Sequence, residues 1–172
     1  MRVFYAVLTL ALWLAVQAAV GRVAPHALAY ADFMLLPVAW YGLRGKPQTA
    51  MVVGCAAGLL TDAWFQNGIL GFHGFKKTLL GWGLGTLGAR WDLNRRTGQL
   101  LAGALLSAAD HYLGWGLLHL LGQRADPPDW RVVLVRAAVM ALLVCLVFVM
   151  FDRAKSRETQ ARPKVRQVGR AF

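Results

Sequence analysis

Six side chains that could do chemistry stand inside apolar stretches of this sequence: Asp32, Asp62, Asp110, Lys76, Lys77 and Arg136. Asp62 is the sharpest case, because in "GCAAGLLTDAWF" (54–65) every neighbour except Thr61 is apolar or small. Carboxylates and cations in such surroundings can pair, line a polar cavity, relay protons, or reach separately for the nearest water. An isolated charge in hydrocarbon costs about 2.5–3.5 kcal/mol even on a lenient scale, so pairing or a polar cavity is the economical reading. No stepped series of acids leads from these residues toward the opposite end, so a proton relay is not favoured.

The elements that position them are apolar blocks separated by short, basic connections. The chain has 172 residues, 58% hydrophobic and 16% charged, with a net charge of +11. A soluble domain of this size would need more polar residues to cover its surface. We therefore expect an all-α, polytopic membrane protein with six transmembrane helices, near 3–20, 27–43, 50–65, 70–89, 99–121 and 132–151. Residues 1–151 form the membrane domain and 152–172 a basic, disordered cytoplasmic tail. Both termini are placed in the cytoplasm, because that arrangement puts most of the basic residues inside, chiefly through the tail. The first block could also be read as a signal peptide cleaved after "VQAA". A lone Arg2 and a long apolar stretch favour a retained span.

Depth then sorts the charges. At about 1.5 Å per residue, Asp62 lies roughly 18 Å and Asp110 about 16 Å above the inner edge, with Asp32 and Arg136 about 8 Å below the outer edge. Lys76 and Lys77 fall within two turns of that edge. The expectation is one protein-facing polar layer in the outer half, Asp62 sharing it with Asp110 while Arg136, Lys76 or Lys77 supplies the counter-charge. The bland alternative has each charge snorkelling separately, or Asp62 satisfying a frayed helix end before "FQNG".

Other motifs carry less. "GLGTLG" (83–88) matches a dinucleotide fingerprint in letters only, since it lies inside an apolar span without a preceding strand. Its glycines instead give smooth helix faces, as Gly81 and Gly85 do on one helix and Gly54 and Gly58 on another, suited to close packing. His26, His73, His111 and His119 have no companions at metal-ligand spacing, and Cys55 and Cys145 suit neither a disulfide framework nor a metal site. We expect no enzyme, cofactor, metal or nucleic-acid partner. The charge lies between and after the apolar blocks, where it suits topology and anionic lipids.

"GLLTDAWFQNGILGFHGFKKTLLGWGLG" (58–85) resembles the central region of the bacterial rod-shape-determining MreD family. Gly58, Asp62, Gly68, Leu70, Gly71 and His73 sit in matching places: a helix ending in G-x-x-x-D, a glycine-rich turn, then another helix. The upstream "ADFMLLPVAWYGLRG" and the short loops extend the likeness over most of 1–151. Lys76 and Lys77 are not part of the family pattern, so no role is carried over to them. The resemblance implies a non-enzymatic, multi-pass component of the bacterial inner membrane that serves cell-wall elongation and rod shape. Its partner would be MreC, through that protein's membrane helix and adjoining segment. MreC in turn would link it to the wall glycosyltransferase-transpeptidase pair and the actin-like filament; a homodimer is a further option. The family fold is also similar to substrate-binding subunits of energy-coupling-factor vitamin transporters, which makes such a subunit the alternative function. The short outer loops, too small for much of a lid, favour the scaffold.

Overall fold

The computed structural model describes residues 2–65, 70–93, 95–124 and 126–161. These are all-helical, with no strand among them: α1 (Arg2–Val23), a 3-10 helix (Pro25–Ala29), α2 (Leu35–Leu43), α3 (Pro47–Phe65), α4 (Phe72–Arg90), α5 (Arg96–Leu120) and α6 (Trp130–Ala161). α3 packs against α4 and α5 against α6 as two antiparallel pairs, and α2 packs between them. That position explains why α2 is apolar all round, with Leu35, Leu36, Val38, Ala39 and Leu43 buried. A helix without a polar face belongs in the interior.

The second expected span, 27–43, is not one helix. The 3-10 helix gives way to a turn, and α2 supplies only nine regular residues. The cause is in the sequence. Pro37 has no N–H to donate, and its ring clashes with the carbonyl four residues back, so a regular helix cannot run far upstream of it. At the other end of the chain, α6 continues to Ala161, well into the segment expected to be disordered. "DRAKSRETQA" (152–161) is rich in strong helix formers and needs no apolar face to continue a helix already nucleated. At 32 residues α6 spans about 48 Å, more than a bilayer core. Residues 162–172 lie outside those described.

Polarity is distributed inside out. Leu8, Leu12, Val52, Leu101, Leu142 and Leu146 are each more than half exposed, whereas Asp32, Asp62, Lys76, Lys77 and Asp110 are buried. Water would favour the reverse. The stretches Ala6–Val23 of α1 and Trp130–Arg153 of α6 are long and apolar enough to cross a membrane, and most of each faces outward.

The α3–α4 hairpin is unusually close, and glycines are the reason. A Cβ on Gly54 would run into the carbonyl of Lys77, and one on Gly58 into that of His73. One on Gly81 would meet the carbonyl of Ala50, and one on Gly85 the Cα of Pro47. Helix backbones touch along the whole hairpin, the approach that small residues permit. The glycine faces of α3 and α4 are therefore used up within the chain.

Candidate functional site

Among the described residues the buried charge gathers where α3 and α5 end and α4 and α6 begin, and it resolves into three groups. The first is built by Asp62 in the last turn of α3. Its Oδ2 accepts the backbone N–H groups of Gly71 (3.0 Å) and Gly74 (3.2 Å). Its Oδ1 accepts the N–H of His73 (3.2 Å) and contacts His73 Nδ1 at 2.8 Å. The first N–H groups of a helix have no partner inside it and are usually met by a capping side chain. Gly71 caps α4 in a left-handed conformation (φ 92°) and has no side chain to offer. Asp62 supplies the missing carboxylate from the neighbouring helix, where the positive end of the α4 dipole also favours it.

This departs from the sequence expectation. Asp62 does not join Asp110, and neither Arg136, Lys76 nor Lys77 is its counter-charge among the described contacts. It does satisfy a helix end, but the beginning of α4 rather than the end of its own helix. Gly58, Asp62, Gly71 and His73 thus act as one local unit; Gly68 lies outside the described residues.

The second group is closed. Lys77, 0% exposed, donates to Asp32 (2.8 Å to Oδ2, 3.1 Å to Oδ1) and to Thr61 Oγ1 (3.2 Å). The Thr61 hydroxyl in turn donates to the Ala57 carbonyl at 2.8 Å. Asp32 sits in the break before α2, where its Oδ1 also accepts the Met34 N–H at 3.0 Å, a contact shared with Gln17 Oε1 at 3.1 Å. A short polar side chain bonding two residues ahead is the usual way such a turn is held. The break in the second span and the burial of Lys77 therefore depend on the same carboxylate.

The third group is looser. Asp110, 1% exposed, receives Lys76 at 3.0 Å and Arg136 at 3.4 Å, both on Oδ2, while its Oδ1 has no partner among the described residues. Beside it a cavity of about 450 Å³ opens between α4, α5 and α6, lined among others by Phe72, His73, Lys76, His111, Trp115 and Arg136. The sequence reading had singled out neither Thr61 nor Gln17, and it gave Gly114 and Trp115 no role. Gln17 was visible as the single amide in an apolar block; Thr61 could be read only with the Asp62 helix in hand.

A second, apolar groove of about 340 Å³ runs between α4 and α5 away from the charges, among Leu79, Gly83, Leu87, Leu101, Leu105 and Ala109. Among the described residues no three His, Cys, Asp or Glu side chains come together as a metal site. Both cysteines are free. No protein-family model, curated protein or solved structure matches the chain.

Proposed function

We propose that this chain is a non-enzymatic, multi-pass scaffold of a bacterial inner membrane, acting in cell-wall elongation by holding the membrane helix of MreC. In this reading the chain crosses six times with both termini in the cytoplasm, and the break at Asp32 is tolerated because protein surrounds it. The observation that carries the proposal is the contrast between the helix faces. The glycine faces of α3 and α4 are consumed inside the hairpin, whereas the α4–α5 seam keeps an open apolar groove with Gly83 and Ala109 along it. A single incoming helix is the simplest occupant of a groove formed by two others. The unit formed by Gly58, Asp62, Gly71 and His73 supports the same reading, since it gives the residues behind the family resemblance one joint structural purpose.

Gly83 provides the test, because a Cβ added there meets nothing within 4 Å. Gly83→Leu should leave folded yield unchanged and reduce MreC recovered on co-purification roughly tenfold by filling the groove. Full recovery with Gly83→Leu, or recovery of MreC lacking its membrane helix and adjoining segment, would remove the groove from the proposal. The polar cavity favours a second reading, a substrate-binding subunit of a vitamin transporter, which gene neighbourhood would separate from the first.

A further inference from the structure

The cavity between α4, α5 and α6 has a wall whose hydrogen bonding the helices leave incomplete. Its volume of about 450 Å³ falls within the range of small-ligand sites, about 300–1,000 Å³. Asp110 lines it, and its Oδ1 is buried without a donor among the described residues. Buried carboxylate oxygens are nearly always satisfied, so a donor belongs there. Lys76 lines it too, and spends one of its three N–H donors on Asp110 Oδ2. Its ammonium lies 5.7 Å from the centre of the Phe72 ring, and on another side it faces Gly114. A Cβ there would stand 3.5 Å from Nζ, so the missing side chain leaves room beside the ammonium.

An acceptor is wanted at Lys76 and a donor at Asp110, side by side. A simple anion would meet the Asp110 carboxylate with like charge and leave Oδ1 empty. A simple cation would meet Lys76 in the same unfavourable way. The geometry points to a binding site for a polar head that joins an oxyanion to a hydrogen-bond donor, the oxyanion on Lys76 and an ammonium or hydroxyl on Asp110 Oδ1. Phosphoethanolamine and phosphoglycerol groups have this chemistry, whether carried by a membrane lipid or free. Trp115 and Phe72 give such a head an aromatic flank. The inference is independent of the scaffold reading, since the apolar groove contributes nothing to it.

Native mass spectrometry of the full chain in neutral detergent tests it, with phosphatidylethanolamine, phosphatidylglycerol and phosphatidylcholine as lipid probes. Free phosphoethanolamine and phosphocholine are the soluble probes. Choline offers no N–H, so heads with a donor should be retained at least ~10-fold more tightly than their choline counterparts, as expected when a buried polar group is left unpaired. Gly114→Ala, which places a methyl at ordinary contact distance from Nζ, should weaken that retention several-fold without lowering the melting temperature of the ligand-free protein. Binding of the lipids alone assigns a headgroup site, and binding of free phosphoethanolamine a soluble ligand; either upholds the proposal. Equal retention of choline and donor-bearing heads, no binding of any probe, or full retention by a folded Gly114→Ala protein would overturn it. The wild-type comparison decides the matter by itself should the variant fail to fold.

Discussion

Lys76 and Lys77 are adjacent in the chain and end in opposite kinds of surroundings. Successive residues on a helix point about 100° apart, so one lysine of α4 faces α3 and the other faces α5. On the α3 side the seam is sealed: backbones touch at four glycines, and Lys77 has three acceptors within 3.2 Å. On the α5 side the seam is open, with a polar cavity at one end and an apolar groove along the rest. There Lys76 shares one carboxylate oxygen with Arg136. One helix thus serves a closed structural face and a face with room for something else. Both faces hold buried charge; what distinguishes them is the completeness of its hydrogen bonding.

The contrast can be broken most severely at the sealed seam. Gly58→Val would drive a branched side chain into the backbone of α4 at His73 and Gly74, where no flexible neighbour can yield. Overpacking usually costs about 1–3 kcal/mol, and a backbone clash belongs at or above the top of that range. Folded protein on fluorescence-detected gel filtration should largely disappear, and a normal peak would show that the helices can separate.

The two lysines should respond unequally. Lys77→Met leaves Asp32 buried without its cation, a loss of about 3–5 kcal/mol, whereas Lys76→Met leaves Asp110 still held by Arg136. Thermal unfolding in detergent should show the larger drop for Lys77→Met. Adding Asp32→Asn should recover part of it, since the amide oxygen can still accept the Met34 N–H. Equal drops for the two lysines would erase the distinction between the seams.

Asp62 comes next in size. Asp62→Ala removes the acceptor for three backbone N–H groups, worth about 1–2 kcal/mol by analogy with helix caps. Asp62→Asn keeps one acceptor oxygen and should fall between Ala and the wild type in melting temperature. If Ala and Asn both match the wild type, the α4 cap has no part in stability.

These residues also show where reading the sequence stops. That Asp62 was out of place could be seen from its neighbours, but its partners could not, because they are backbone N–H groups presented by the turn at Gly71 rather than side chains with a letter. The depth count brought Asp32, Lys77, Asp110 and Arg136 to one end of the bundle. Which acid took which lysine depended on the rotational setting of α4, and that was fixed by glycine contacts with α3. The interruption before α2 is legible in Pro37, although the apolar run on both sides of it reads as continuous. Helix beyond residue 151 has no apolar periodicity to announce it, yet a charged segment with no apolar face still carries strong helix propensity.

The proposal that a partner helix occupies the open seam is tested most directly by cysteine cross-linking in membranes. With Cys55 and Cys145 replaced by serine, single cysteines at Leu101 in the α4–α5 groove and at Val52 on the outer face of α3 are paired with cysteines along the MreC membrane helix. The expected result is a cross-link from Leu101→Cys and none from Val52→Cys. A cross-link from Val52→Cys alone, or from neither position while MreC still co-purifies, would contradict it.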